Sequence, residues 1–157
     1  MNFFTLSFFI KLIMAFITSA GFAMMFNTNK RHLVYIGICG LGNYAIYYTV
    51  LFFLPSSWFW AGFLSAVFTA IFAEVIARVV KAPTIIFLLT GIVPTVPGGS
   101  LYYSVRNLLL NNVANSIEKL TVTLMVGIGI AGGIVFVSIV FGTIMDFLAK
   151  KKNLSKK

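Results

Sequence analysis

The chain has 157 residues, 60% of them hydrophobic, 16% aromatic and only 10% charged, with a mean hydropathy of +1.01. A soluble domain carries about 25% charged residues and a disordered chain needs low hydrophobicity, so both classes are excluded and a lipid-solvated protein remains. The formal charge of +9, from 12 Lys and Arg against 3 Asp and Glu, would point to nucleic acid in a soluble protein. Here the basic residues fall mostly in short gaps between apolar runs, where they encode topology.

The first run covers 3–26, broken only by Lys11. Thr18, Ser19, Ala20 and Gly21 are small, but no positive region precedes the apolar stretch, so a cleaved signal peptide is not expected. Lys11 admits two readings: attraction of an anionic substrate, or a side chain that reaches to the membrane interface. It begins an i+4 row through Ala15, Ser19, Ala23 and Asn27, a row that winds around the helix.

No charge occurs from Leu33 to Ala73, and Pro55, Ser56 and Ser57 divide that stretch into helices near 33–54 and 58–80. Trp58 and Trp60 suit a membrane–water interface. Glu74 and Arg78 are four apart on the third helix, so they share a face and can pair. One reading makes them functional, as intramembrane charges are by default; the other makes them interfacial. Gly62, Ala66 and Ala70 lie on the same ridge and allow another helix to approach closely.

The fourth run, 84–110, contains GIVPTVPGGS at 91–100. Each proline removes an N–H and clashes with the carbonyl four residues earlier, so Pro94, Pro97, Gly98 and Gly99 are expected to open the helix. In lipid, freed backbone groups must be satisfied by protein or by a wet cavity. Transporters use such broken helices to meet substrate or ion. From Ser100 onward a half-helix would present its N–H groups to a carboxylate. The plainer reading is a proline kink filled by a neighbouring helix.

The fifth run covers about 120–147. Gly129 and Gly133 form a Gly-xxx-Gly pair that signals tight helix packing, within the chain or between subunits. Asp146 is read as interfacial, beside a basic tail at 150–157 that either anchors topology or meets anionic headgroups. Five crossings put Lys30, Arg31, Arg78, Lys81 and the five tail lysines on one side, nine of the twelve positive charges. The positive-inside rule then sets the C-terminus in the cytoplasm and the N-terminus outside. The expected fold is an all-α integral membrane protein, a single transmembrane domain at 1–149 with the fourth helix broken.

Chemistry beyond transport finds no support in the residue pattern. Single Cys39 and His32 exclude a disulfide framework and make a metal cluster unexpected. No nucleophile–base arrangement occurs, and Pro97, Gly98, Gly99 and Ser100 lack the Lys and the strand–helix setting of a phosphate loop. Neither an enzyme nor a bound cofactor is expected.

Ala73-Glu74, Ala77-Arg78, Lys81-Ala82-Pro83, the 91–98 motif and Tyr102-Tyr103 together resemble the ThrE-type threonine/serine exporter family, in particular its short YjjB-like membrane subunit. Gly21-Phe22-Ala23, Phe26-Asn27, Arg31, Glu118 and Leu120-Thr121 fit the same pattern, so the resemblance runs over nearly the whole chain. It implies proton-driven export of small hydrophilic metabolites, threonine and serine in some members and succinate-like dicarboxylates in others. It also implies a larger partner subunit, holding another five-helix bundle and a soluble segment, in a bacterial inner membrane. Some members carry a polar or basic pair in the second helix, roughly where Asn43, Tyr44 and Tyr47 stand in this chain. On this reading Pro94, Pro97, Gly98, Gly99 and Ser100 form the substrate path and Tyr102 and Tyr103 line or gate it. Glu74 couples to protons, with Arg78 its partner or a carboxylate anchor. The rivals are a non-transporting scaffold that docks a larger pore-forming chain, and a homo-oligomeric channel.

Overall fold

The computed structural model describes residues 6–154, with side chains through Thr143. Six α-helices account for most of it: α1 (Leu6–Met25), α2 (Leu33–Phe53), α3 (Trp58–Val80), α4 (Thr84–Ile92), α5 (Gly98–Leu109) and α6 (Val113–Leu154). No strand occurs among the described residues. Four of these helices are long and apolar enough to cross a membrane, and α4 with α5 forms a fifth candidate span, bent by 50°. The protein is an all-α, multi-pass membrane protein. Helices are what an apolar chain must form in lipid, because each satisfies its own backbone hydrogen bonds.

The helices end without glycine. Asn27, Lys81 and Asn111 take left-handed φ values of 52°, 54° and 58°. At each, the following amide turns back onto the helix: Thr28 N to Ala23 O at 3.1 Å, Ala82 N to Ala77 O at 3.0 Å, and Asn112 N to Asn107 O at 2.9 Å. These are Schellman closures of the last carbonyls, and asparagine tolerates the left-handed region better than most residues. The glycines are thereby left for packing.

Helix α3 lies against α2, α4 and α6. It buries Ala61, Gly62, Ser65, Ala66, Thr69, Ala70, Ala73 and Ala77, whereas Leu64, Ile71, Val75 and Val79 are exposed. Small residues inside and large ones outside is the arrangement that lipid favours, since tails solvate leucine as well as a core does and close backbone approach supplies the attraction. Gly62 abuts the backbone of Val126, Gly129 that of Phe59 and Phe63, and Gly133 that of Phe63 and Val67. Further along, the Arg78 guanidinium lies 5.2 Å from the Phe141 ring centroid. Residue numbers rise together on the two helices, so α3 and α6 run parallel. The bent α4–α5 pair therefore carries the chain from the C-terminal end of α3 back to its N-terminal end. It is a traverse, not a re-entrant loop.

Helix α6, 42 residues long, starts at Val113, ahead of the span expected from 120. Its first turns pack on α5 through two reciprocal bonds, Ser104 Oγ to Ser116 O at 2.9 Å and Ser116 Oγ to Ser104 O at 2.8 Å. Ser116 stands about 15 Å along α6 from Val126, so this α5–α6 hairpin lies beyond the N-terminal end of α3. At the opposite end, Ala23, Ile36, Ala73, Ala77 and Phe87 form an apolar cluster flanked by Leu33 and Val80. Asp146 and the lysines of the tail lie outside the residues whose side chains are described, and 155–157 lie outside the described backbone.

Candidate functional site

The break follows from the prolines. Pro94 cannot donate to the Thr90 carbonyl, and α4 gives way to a 3-10 turn at Val93–Thr95. Val96 is extended, Pro97 caps α5, and Gly98 N reaches only the Val96 carbonyl at 2.8 Å. Part of the opened main chain is satisfied locally: Thr95 Oγ1 donates to Ile92 O at 3.0 Å and Val96 N to Val93 O at 3.2 Å. No side chain caps the N-terminus of α5. A Cβ added at Gly98 or Gly99 would meet nothing within 4 Å, so this end of the helix faces open space.

An open pocket of about 290 Å³ lies between the turn, α1 and α2, lined by Lys11, Met14, Ala15, Thr18, Tyr44, Val93 and Pro94, with the side chains of Lys11, Met14 and Thr18 exposed. A second, of about 280 Å³, continues along α2 past Tyr47, Tyr48, Leu51 and Phe52, and shares Lys11 and Tyr44 with the first. Spacing explains the lining. Lys11, Ala15 and Thr18 stand one and two turns apart on one strip of α1, and Tyr44, Tyr47 and Tyr48 are neighbours at i, i+3 and i+4 on α2. The Lys11 ammonium lies 5.8 Å from the Tyr48 ring centroid. Among the described residues no carboxylate meets it: Glu74 binds Arg78 at 2.9 Å and Glu118 binds Lys119 at 2.8 Å.

Behind the cavity runs a seam of buried polar side chains: Ser19, Asn43, Ser65, Thr69, Thr90 and Thr95. Asn43 Nδ2 donates to Thr69 Oγ1 at 2.8 Å and to Ser65 O at 3.2 Å, while Thr69 Oγ1 donates to the same Ser65 carbonyl at 2.9 Å. Two acceptors facing the amide fix its orientation. Asn43 Oδ1 and Ser19 Oγ are left buried with no hydrogen-bond partner. Gly91 packs so closely on the side chains of Cys39 and Thr69 that a Cβ there would force the Cys39 side chain to shift.

The residues expected to act together are thus divided among four places. Pro94 lines the cavity. Pro97, Gly98, Gly99 and Ser100 stand just past the break and are not among its lining residues. Tyr102 and Tyr103 project from α5, 63% and 50% exposed, with Tyr102 beside Arg106, Leu109 and Leu110 in a separate hollow of about 340 Å³. Glu74 and Arg78 form their ion pair on α3, close to α6, with the arginine 47% exposed. Gly129 and Gly133 lie in the α3–α6 contact. Thr18, noted in the sequence only as a small residue, lines the pocket, as does Met14, which nothing in the sequence singled out; their spacing of seven and three residues from Lys11 was the available signal.

No curated protein and no solved structure matches the chain. Residues 11–140, which run from the cavity lysine through the broken helix to the glycine face of α6, match the family described as threonine/serine exporter, ThrE, and the chain belongs to that transporter family.

Proposed function

We propose that the protein is the small subunit of a two-component, proton-coupled secondary exporter of small hydrophilic metabolites, with threonine or serine as cargo and a dicarboxylate such as succinate as the alternative. Its larger partner supplies a second five-helix bundle, giving the two-halved design common among transporters. The observation that carries the reading is the break at Pro94 and Pro97 beside a cavity lined by a lysine, a threonine and a tyrosine. On this reading the cargo passes along Pro94, Pro97, Gly98, Gly99 and Ser100, the open N-terminus of α5 favours its carboxylate, and Tyr102 and Tyr103 gate the route. Glu74 takes up the coupling proton and Arg78 holds it in place between cycles. The membrane is the bacterial inner membrane, with the N-terminus outside and the C-terminus in the cytoplasm, in keeping with the basic residues at the Lys30 and Lys81 end.

The scaffold reading relies on a glycine face free to dock a partner. Gly129 and Gly133 already meet α3, whereas Gly127 on the same helix stays open, so the two readings are separated by substitution. The test is metabolite release from cells that carry the exporter with the wild-type chain or with Pro97→Ala combined with Gly98→Leu. Release should fall to the level of cells lacking the chain, while the variant remains in the membrane and assembled. Undiminished release from the assembled variant would establish the scaffold role instead.

A further inference from the structure

Among the described residues, Lys11 is the one cation that lines either of these two pockets, on a helix that carries no other charge. An ammonium one to two turns inside an apolar helix is costly unless an anion or water meets it. Every carboxylate with a described side chain is engaged elsewhere. Among the described residues, a threonine hydroxyl, three tyrosines and apolar surface surround Lys11. The rings of Tyr44 and Tyr48 stack 6.4 Å apart, with Tyr47 also 6.4 Å from Tyr44. Aromatic faces carry partial negative charge, so they attract a cation and repel an anion. The lining therefore offers one place for a single negative group, at Lys11, and next to it a wall suited to a positive one.

We infer that Lys11 anchors the carboxylate of the cargo where the two pockets meet between α1 and α2, beside the broken helix, with the cargo's ammonium against the rings of Tyr44 and Tyr47; Tyr48 is already covered by Lys11 and by Phe8, 4.9 Å away. The inference rests on the export reading for the ligand being cargo, and it moves the carboxylate contact from the α5 amides at Ser100 to α1. It also gives the cavity a preference. A zwitterion satisfies both halves of the lining, whereas the second charge of a dicarboxylate would have only tyrosine and threonine hydroxyls, and no second described cation, to receive it.

Two measurements test it. In purified full chain in phosphatidylcholine nanodiscs, the rate of amine labelling at Lys11, read by peptide mass spectrometry, should fall when L-threonine is added. L-threoninamide, which lacks the carboxylate, should give no protection, and succinate less than threonine. In cells where the wild-type chain supports threonine release, Lys11→Gln should raise KM about tenfold with kcat unchanged, the pattern of a lost uniform binding contact. Lys11→Arg should restore KM to within about threefold. Equal protection by the amide, or protection by anionic phosphatidylglycerol and not by threonine, would overturn the assignment and make Lys11 a lipid contact. An unchanged KM in Lys11→Gln would overturn it as well. Threonine protection at Lys11 in a chain that supports no release would leave the subsite standing and remove the export reading, so the two failures are distinguishable.

Discussion

Glu74 and Asn43 show how differently two polar side chains are held in one bundle. Glu74 is paired with Arg78, one helical turn away on the same face, and such a half-exposed pair contributes little to stability. Glu74→Gln should abolish release driven by the proton gradient and leave the amount of assembled protein unchanged; gradient-driven release at wild-type rate from the glutamine variant would rule out the coupling role. Asn43 is fully buried, and one of its two amide groups is without a partner. The Thr69–Ser65 bond survives its removal, so Asn43→Leu should shift stability by no more than about 1 kcal/mol, since polar contacts between membrane helices average roughly 0.6 kcal/mol. Thermal unfolding in detergent checks this. A loss of several kcal/mol would mean that the unpaired oxygen has a bound partner in the membrane. Lys11 was visible in the sequence as a charge in an apolar run. Its surroundings were not, because they depend on which tyrosines of α2 face it across the bundle.

At the scale of elements, the contact between α3 and α6 is made by glycine, and the coordinates separate glycines that pack from glycines that do not. A Cβ at Gly133 would run into the backbone of Phe63 and the side chain of Ala66, whereas one at Gly127 would meet nothing within 4 Å. Gly133→Leu should therefore cost at least about 1–3 kcal/mol of stability, the usual range for overpacking. Gly127→Ala should be neutral or slightly stabilising, as alanine favours the helix by roughly 1 kcal/mol. Equal effects of the two substitutions on the melting temperature would refute the packing argument. The Gly-xxx-Gly spacing at 129 and 133 announced a close contact, yet not with whom, since one glycine face suits a helix of the same chain as well as one from a partner. The proline motif likewise announced where α4 must end. That the opened turn borders a pocket, while Ser100, Tyr102 and Tyr103 stand beyond it, depends on the 50° bend, with α4 packed on α3 and α2 and α5 packed on α6.

For the whole molecule, α3 puts the Pro55 turn and the Lys81 turn at its opposite ends, and the parallel course of α3 and α6 makes the bent α4–α5 pair the return between them. Single cysteines at exposed Ser56 and Lys81 should then label from opposite sides of the membrane, Ser56→Cys from outside and Lys81→Cys from the cytoplasm. Native Cys39 is buried and should contribute little background. Labelling of both from one side would break the five-pass topology and with it the path proposed along α4 and α5. The all-α membrane class and the family were legible in the residues, through apolar runs long enough to span lipid and a proline-glycine motif set at a fixed distance from Glu74 and Arg78. The hairpin of α5 and α6, clasped by Ser104 and Ser116 beyond the end of α3, was not, because two serines in unlike helices carry no signal of their pairing.

By itself the sequence determined where helices must form and where one of them must fail. Those are local matters: a backbone in lipid has to bond to itself, and proline cannot take part. Only the tertiary structure decided which charge faces a cavity and which faces a neighbouring ring, for that depends on helix rotation and crossing, which small-residue contacts between segments distant in the chain impose.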